Sequence, residues 1–264
     1  MATLIESVLR AGRRQLAGAA TAVVSKKSRI DLVTDVDVAI EQEFRATIAE
    51  RFPDHRILAE ELENDGAAIR AGHCWVLDPI DGTTNYAHGL PFFCASLALE
   101  VDGRAELAAV FDPSRPELFT AERGGGAFLN GRPLSVSAGT SLEDAILCTG
   151  FPYDVHDTAE EVVGLFGRFV ARARAVRRLG SAALDLCYVA AGRLDGFWEQ
   201  RLNPWDIAAG ALVVEEAGGR ISLCDGKPFV SRVGDIVASN GPIHPAMLAV
   251  IQAWRADRAA KRTP

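Results

Sequence analysis

The sequence predicts a fold of the α+β and α/β classes, with an antiparallel sheet in its N-terminal region and a smaller α/β unit in its C-terminal region. Between residues 74 and 137, strand-like apolar runs are separated by the turn signals Asp102-Gly103, Gly124-Gly125-Gly126 and Asn130-Gly131, as in an antiparallel meander. From Ala145 onwards helical and strand-like patterns alternate, as in α/β units. The stretch 138–144, rich in small and polar residues, lies between them. We therefore expect subdomains over residues 1–140 and 141–264.

Two helices are predicted before the meander. The apolar residues of the first, from about Leu4 to Leu16, recur at the spacing of an amphipathic helix. The second is expected from about Val38 to Arg51, and apolar side chains four residues apart predict its buried stripe: Ile40, Phe44, Ile48 and Phe52. Asp35 and Asp37 stand at the start of this helix, where capping of free N–H groups is the simple interpretation.

A strand over residues 56–59 leads into Glu60 and Glu61. Side chains alternate in an extended chain, so we expect one of these glutamates to face inward as a ligand and the other to be solvated. Lys26 and Lys27 lie in a basic loop, 25–29. They are interpreted either as solvated charges or as lysines that hold or steer an anion.

The later elements follow from the same patterns. In the meander, strands are expected at 91–101, 105–111, 117–122 and 127–129. In the C-terminal region, strands are expected at 145–149, 175–179, 194–199, 220–223 and 235–238. Helices are expected at 158–171, from 181, at 205–217 and at 242–256, and a frayed, solvated tail at 255–264.

Composition excludes several classes of protein. The chain has 264 residues, is 48% hydrophobic and carries a net charge of −7, which argues against a general affinity for nucleic acid or anionic membranes. The basic patch 172–178 is the one feature that favours nucleic acid. The five widely spaced cysteines form no C-x-x-C motif, so free thiols are expected rather than zinc or disulfides. No apolar run reaches membrane-spanning length, and we expect a cytoplasmic protein.

The stretch from Cys74 to Asn85 is the main candidate for a functional site. Its apolar run 74–77 predicts a buried strand, which ends in two carboxylates, Asp78 and Asp81. Hydroxyl side chains follow, as at a helix start. Carboxylates beside a helix start offer oxygen ligands for a divalent cation and free N–H groups for an anion. The alternative is that Asp78-Pro79 and Asp81-Gly82 are only turn formers.

Two later features can join this stretch. Asn203-Pro204-Trp205-Asp206 predicts a helix start whose carboxylate serves either the helix dipole or a metal ion. Gly180-Ser181-Ala182 predicts a strand-to-helix junction that can receive a polar group. Clustered carboxylates repel one another unless cations are present, so we expect weak organisation of the site without a bound cation.

The sequence resembles the inositol monophosphatase family. Its two signature motifs look like Asp78-Pro79-Ile80-Asp81-Gly82-Thr83-Thr84-Asn85 and Trp205-Asp206-Ile207-Ala208-Ala209-Gly210, the latter continuing to Glu216-Ala217-Gly218-Gly219. Ala59-Glu60-Glu61, the segment from Asp31 to Asp37, and Gly180-Ser181-Ala182 match subsidiary motifs in the same order. The resemblance covers residues 4 to 253. It implies a layered α/β/α/β/α sugar-phosphatase fold, Mg²⁺ dependence, lithium sensitivity and a homodimer.

The resemblance also implies roles for individual residues. Glu60 and Asp78 would bind one Mg²⁺ with the Ile80 carbonyl, and Asp78, Asp81 and Asp206 a second. Glu60 would also help to hold a weaker third ion through waters. Thr83, hydrogen-bonded to Asp37, would orient or deprotonate the attacking water together with Glu60. The phosphate would be received by the backbone N–H groups of Gly82 and Thr83.

On the substrate side, the resemblance implies contacts from Gly180, Ser181, Ala182, Glu199 and Asp206, with Glu199 binding inositol hydroxyls. Lys26 falls at the position of the family's mobile-loop lysine, with Lys27 beside it as the alternative. The implied activity is hydrolysis of myo-inositol 1-phosphate, a small phosphate monoester. The alternatives are histidinol phosphate, fructose 1,6-bisphosphate or 3′-phosphoadenosine 5′-phosphate as substrate, and a regulatory role in transcription or ribosome biogenesis.

Overall fold

The computed structural model describes residues 1–27, 32–64 and 72–262, with side chains up to Ala260. Asp31 and the last two residues of the predicted tail lie outside the described residues. The helices are α1 (Ala2–Gly18), α2 (Asp35–Arg51), α3 (Thr83–Ala87), α4 (Val155–Val170), α5 (Ala182–Ala190), α6 (Pro204–Glu216) and α7 (His244–Arg262). The strands are β1 (Val24–Lys26), β2 (Leu32–Thr34), β3 (Arg56–Ala59), β4 (His73–Asp81), β5 (Cys94–Val101), β6 (Arg104–Asp112), β7 (Glu117–Glu122), β8 (Gly126–Leu129), β9 (Arg132–Pro133), β10 (Ile146–Thr149), β11 (Ala175–Arg177), β12 (Gly196–Glu199), β13 (Arg220–Ser222) and β14 (Ile236–Ser239).

The N-terminal region contains a seven-stranded sheet of order β3-β4-β5-β6-β7-β8-β9. All of its pairs are antiparallel except β3 with β4, so the predicted meander is confirmed. Its β5–β6 turn places Asp102 and Gly103 at φ values of 51° and 80°, the left-handed geometry that Asp-Gly predicts.

The C-terminal region contains a five-stranded sheet of order β11-β10-β12-β14-β13. Strand β10 pairs parallel with β11 and with β12, whereas β14 runs antiparallel to β12 and β13. The alternation of helices and strands therefore gives a mixed sheet rather than a wholly parallel one. The division of the chain at residue 140 stays a prediction.

The helices and sheets form five layers with three apolar cores between them. Helices α1 and α2 cover the outer face of the large sheet, with Phe44 packed against Trp75. Helices α5 and α6 lie between the two sheets in the central core. Helices α4 and α7 cover the outer face of the small sheet, where Phe169 stacks on Trp198. This is the expected α/β/α/β/α arrangement.

Several element boundaries differ from the prediction for local reasons. Helix α2 begins at Asp35, because a capping box between Thr34 and Asp37 starts it three residues earlier than expected. Strand β4 continues through Asp78 to Asp81, past an irregularity in its pairing with β5. The β1–β2 hairpin was not predicted. In the described part of the chain, no helix combines the length and the apolar character needed to cross a bilayer.

Candidate functional site

The end of β4 forms the centre of the site. Asp78 accepts a hydrogen bond from the Ile80 N–H through Oδ1 at 3.0 Å, and both residues are buried. Gly82 follows at φ 97°, and a Cβ there would lie 3.0 Å from the Phe92 carbonyl oxygen. The left-handed backbone and this close approach both require glycine. The chain can thus turn sharply from the strand into α3.

Asp81 joins this strand to the start of α5. Its carboxylate accepts hydrogen bonds from the Ser181 hydroxyl at 2.6 Å, from the Ala183 N–H at 2.6 Å and from the Ala182 N–H at 3.3 Å. Ser181 is the N-cap of α5, where carboxylates are favoured by the helix dipole. The junction that the sequence indicated therefore receives the carboxylate of Asp81.

Asp206 lies in the first turn of α6, after Asn203 as N-cap and Pro204. Its Oδ2 accepts a hydrogen bond from the Asn203 N–H at 2.6 Å. Asp206 and Asp81 line the same pocket. Asp206 therefore both caps the start of α6 and lies at the same pocket as Asp81.

Glu60 and Glu61 do not alternate as expected. Lys27 Nζ lies 2.8 Å from Glu60 Oε1 and 2.7 Å from Glu61 Oε2. The side chain of Glu61 is only 1% exposed and that of Glu60 12%, so the prediction that one would be solvated is wrong. Strand β3 ends at Ala59, and alternation does not extend into the bend that follows. The lysine near the acidic cluster is Lys27, whereas Lys26 is exposed.

Thr83 and Asp37 are not hydrogen-bonded to each other, which contradicts the expectation. The Thr83 hydroxyl donates to the Ile80 carbonyl oxygen at 2.9 Å. Asp37 Oδ2 accepts hydrogen bonds from the backbone N–H and the hydroxyl of Thr34. A hydroxyl has one proton to donate, and the capping box of α2 holds Asp37 in place. Asp37 Oδ1 is buried without a hydrogen-bond partner among the described residues.

Asp35, two residues before Asp37, does not cap the helix. Its Oδ1 accepts a hydrogen bond from the Val23 N–H at 2.9 Å, across the β1–β2 hairpin. The carboxylate therefore ties this hairpin to the start of α2 rather than capping the helix. Lys27 follows the first strand of the hairpin, so the same contact helps to place Lys27 beside Glu60.

The buried carboxylates raise one another's pKa values. For Asp78, burial and then Glu60, Asp81 and Asp206 hold the pKa well above its usual range. For Asp206, burial, Asp81 and Glu60 do the same. Burial raises the pKa of Asp81 to about 6, although its hydrogen bonds from Ser181 and Ala183 oppose the shift. Burial also raises the pKa of Asp37 to about 7. The cluster thus concentrates negative charge that favours a cation.

The donor set fits hard divalent cations such as Mg²⁺, which prefer carboxylate and carbonyl oxygens. Within the described residues, no three His, Cys, Asp or Glu side chains are already arranged around a single metal position. The reason is visible in the contacts, because Glu60 is paired with Lys27 and Asp81 with the start of α5. The chemistry and charge of the cluster fit the cation, while its side chains are held by internal partners.

A pocket opens beside this cluster. Its lining includes the predicted metal ligand Asp81 and all of the predicted substrate and phosphate contacts: Gly82, Thr83, Gly180, Ser181, Ala182, Glu199 and Asp206. Glu60, Asp78, Ile80 and Asp37 are not among the described residues that line it. The structure therefore brings the substrate-side residues together at one pocket. Glu60, which is outside the lining, contributes to the raised pKa values of Asp81 and Asp206.

Gly150 and Asp185 also line this wall but were not predicted as site residues, and Arg178 was predicted only as part of the basic patch. Glu199 is buried against the backbone of Gly150, whose N–H donates to it. Burial, and then the nearby Asp185, raises the pKa of Glu199 to about 8. A single acidic residue in the otherwise apolar segment of α5 was the signal that could have indicated Asp185.

The predicted basic patch is divided in the structure. Arg174 forms an ion pair with Asp144 at 2.5 Å, and Arg172 donates to the Arg168 carbonyl. Arg178 instead lines the pocket, 5.8 Å from the Phe151 ring centroid. The patch therefore does not form one free cationic surface.

Comparison with known proteins agrees with the geometry. Residues 1–256 match the model of the inositol monophosphatase family. The chain is 47% identical to the Nus factor SuhB of Pseudomonas aeruginosa over 87% of its length and 86% of that protein. It is 42% identical to an inositol-1-monophosphatase of Synechocystis over 97% of its length and 91% of that protein. The solved inositol monophosphatase of Anabaena superposes with a TM-score of 0.87 at 38% identity, over 96% of this chain and 95% of that one. Its sequence, its layered fold and the acidic pocket together show that this chain belongs to the inositol monophosphatase family.

Proposed function

We propose that the protein is a Mg²⁺-dependent phosphate monoester hydrolase whose substrate is myo-inositol 1-phosphate or a similar polyol phosphate. The observation that carries this proposal is the cluster of buried carboxylates from β4, α6 and the segment after β3, beside a pocket with acceptor groups on its far wall. Phosphate monoesters are dianionic, so an acidic site can bind them only together with cations.

The proposed metal ligands are shared between positions. Glu60, Asp78 and the Ile80 carbonyl would hold one Mg²⁺, Asp78, Asp81 and Asp206 a second, and Glu60 would help to hold a weaker third. Bound Mg²⁺ supplies charge neutralisation at the phosphoryl oxygens and a lower pKa for the attacking water. Release of Lys27 from Glu60 would free this carboxylate for its role.

Thr83 would orient the attacking water without the hydrogen bond to Asp37 that was expected. Its hydroxyl proton is committed to the Ile80 carbonyl, so the hydroxyl oxygen remains free to accept a hydrogen bond from water. Glu60 would then take the proton of that water. The backbone N–H groups of Gly82 and Thr83 would receive the phosphate at the start of α3.

The remaining residues would select the alcohol part of the substrate. Gly180, Ser181 and Ala182 line the wall next to Asp81, and Glu199 lines the same pocket. Carboxylates accept hydrogen bonds from hydroxyl groups, so this wall suits a polyol.

A panel of phosphatase assays tests the proposal. Phosphate release would be measured from inositol 1-phosphate, histidinol phosphate, fructose 1,6-bisphosphate and 3′-phosphoadenosine 5′-phosphate, each with Mg²⁺ and with a chelator. We expect Mg²⁺-dependent release, fastest from inositol 1-phosphate, and none from the Asp78→Asn variant. No release from any of these substrates would contradict the enzyme proposal, and a preference for another one would replace the substrate.

We extend the proposal to three properties common in this family. Lithium would inhibit the reaction, the protein would form a homodimer, and it would act in the cytoplasm. Inhibition by LiCl in the same assay and the mass in solution from light scattering test the first two. Fractionation of cells that produce the chain tests the third.

A second candidate function is that of a Nus factor, favoured by the 47% identity to a relative with that name. Complementation separates the two functions. A host that lacks its own Nus factor of this family would receive either the wild-type chain or the Asp78→Asn variant. Rescue by both would show a regulatory role that is independent of hydrolysis, and rescue by neither would exclude the role.

A further inference from the structure

Asp185 is a buried carboxyl that the proposed site does not yet use. It is 1% exposed and lines the pocket that also contains Glu199. Among the described residues its Oδ1 has no hydrogen-bond partner. The Cys148 thiol donates a hydrogen bond to the carboxyl group. A buried acceptor left unpaired is unfavourable, so this carboxyl group at the pocket has hydrogen-bonding capacity that a ligand can use.

The helix itself does not account for this carboxyl. Ser181 accepts the Leu184 N–H as the N-cap of α5, and the N–H groups of Ala182 and Ala183 donate to Asp81. These bonds use the free donors of the first turn without Asp185. Asp185 is also the one charged residue of α5.

Two charged neighbours set the character of the wall around Asp185. Burial holds the pKa of Asp185 well above its usual range, and Arg178 opposes the shift. Arg178 likewise opposes the rise in the pKa of Glu199. Burial thus favours the neutral form of both carboxyl groups, Asp81 adds to the shift, and Arg178 opposes it. A nearly neutral wall rich in acceptors suits uncharged hydroxyl donors better than an ammonium group.

We propose that Asp185 determines specificity by accepting, through its carboxyl group, a hydrogen bond from a second hydroxyl group of the polyol phosphate, next to the hydroxyl that Glu199 binds. This proposal rests on the phosphatase function proposed above. It names Asp185 and Glu199 as a pair that recognises two hydroxyl groups of one substrate.

The test compares a polyol substrate with one that has no hydroxyl groups. Kinetics would be measured with Mg²⁺ on inositol 1-phosphate, on its monodeoxy analogues and on 4-nitrophenyl phosphate. We expect Asp185→Ala to raise KM for inositol 1-phosphate about tenfold or more, because a hydrogen bond to a buried carboxyl is lost. Its kinetics on 4-nitrophenyl phosphate should change less than about twofold, since that ester offers no hydroxyl to the wall.

The monodeoxy analogues distinguish substrate binding by Asp185 from a purely structural role. A structural role would leave the discrimination between inositol 1-phosphate and these analogues unchanged. Wild-type protein should discriminate against the analogue that lacks the hydroxyl bound by Asp185, and Asp185→Ala should not. Asp185→Asn keeps a side-chain oxygen and should restore part of the discrimination. Cys148→Ser is the matched control, because serine keeps a hydrogen-bond donor beside the Asp185 carboxyl group. This variant should show the substrate discrimination of the wild type.

Three results would overturn the inference. They are equal losses on both kinds of substrate, unchanged discrimination in Asp185→Ala, and a Cys148→Ser variant that behaves like Asp185→Ala. If thermal unfolding shows that Asp185→Ala does not fold, Asp185→Asn decides, and wild-type discrimination across its deoxy panel would refute the inference. Wild-type protein that hydrolyses none of the substrates would instead refute the proposed function, and this inference with it.

Discussion

At the wall of the pocket, Glu199 occupies the space that a side chain at position 150 would need. A Cβ on Gly150 would lie 2.1 Å from Glu199 Oε2 and 2.2 Å from Oε1, far inside van der Waals contact. The Gly150 N–H also donates to this carboxylate. Glycine at position 150 therefore fixes where the proposed substrate-binding carboxylate points, although it has no side chain of its own.

Gly150→Ala should displace Glu199 and raise KM for inositol 1-phosphate by about tenfold, with a smaller effect on 4-nitrophenyl phosphate. Steady-state kinetics on both substrates check this. Gly167→Ala is the matched control, because a Cβ at Gly167 in α4 meets nothing within 4 Å. Wild-type kinetics in Gly150→Ala would show that Glu199 does not bind the substrate where the structure places it.

Asp81→Asn should reduce kcat at least about a hundredfold, since it removes the charge of a proposed metal ligand. Stability should fall by only about 1 kcal/mol, because the amide keeps an oxygen for the start of α5. Phosphate release and thermal unfolding measure the two effects. Ser181→Ala removes one hydrogen bond to Asp81 but keeps its charge, and should lose much less activity. Near-normal turnover in Asp81→Asn would refute the metal role.

The sequence located residues that belong to a motif. It did not predict which hydrogen-bond partner a single residue would have. Asp81 and Asp206 stand in the two signature motifs, and the structure places both at one pocket. The partner of the Thr83 hydroxyl was predicted wrongly, because the sequence does not show that this hydroxyl reaches back to the Ile80 carbonyl while Thr34 holds Asp37. Gly150 carries no pattern that sequence spacing can detect, and Asp185 is marked only as the single acidic residue of an apolar helix.

At the level of elements, α2 holds the segment that follows β3. Glu41 is fully buried, and its carboxylate accepts the N–H groups of Glu61 at 2.8 Å and Leu62 at 3.2 Å. Arg45 pairs with the same carboxylate at 2.7 Å. The position of Glu60 in the acidic cluster is therefore set from the helix that covers the large sheet.

Glu41→Ala should destabilise the protein by about 3 kcal/mol, because Arg45 and two partly buried N–H groups lose the buried carboxylate to which they are bound. It should also lower activity, since Glu60 loses its support. Urea unfolding and phosphatase assays measure both effects. Glu43→Ala on the same helix is the control, because Glu43 pairs with Arg10 and Arg14 at the surface and should contribute less than about 1 kcal/mol. Equal effects of the two substitutions would contradict this role of Glu41.

Helices and strands with a clear period were located from sequence to within a few residues. The β1–β2 hairpin was missed because its strands have only three residues each, too few to show alternation. The solvation of one glutamate was predicted from strand alternation, yet β3 ends at Ala59 and the rule no longer applies after it. The alternation of side chains predicts which way they face only within the strand itself.

For the molecule as a whole, the acidic cluster makes stability depend on pH and on Mg²⁺. The pKa values of Asp37, Asp81, Glu61 and Glu199 are raised to about 7, 6, 8 and 8, above those of an unfolded chain. Groups with raised pKa values stabilise the folded state below their unfolded pKa, and that contribution is lost as the pH rises through the folded values. Stability without Mg²⁺ should therefore fall between about pH 4 and pH 8.

Mg²⁺ should reverse this loss, raising the unfolding temperature by several degrees more at pH 8 than at pH 5. Differential scanning calorimetry with Mg²⁺ and with a chelator measures the difference. Asp78→Asn removes one member of the cluster, so both the pH dependence and the Mg²⁺ effect should shrink. An unfolding temperature that is equally raised by Mg²⁺ at both pH values would contradict a cation site formed by these groups.

The position of α6 between the two sheets has a consequence for how such chains can diversify by recombination. The helix belongs to the second half of the chain but packs on strands β4 to β8 of the first half, and Asp81 from the first half holds the start of α5. A genetic crossover between residues 134 and 145 would join halves with unmatched central cores and unmatched ligand sets. Change in this architecture is therefore favoured in small steps, at positions such as 150, 178 and 185 on the pocket wall, where a new residue alters selectivity and leaves the shared core intact.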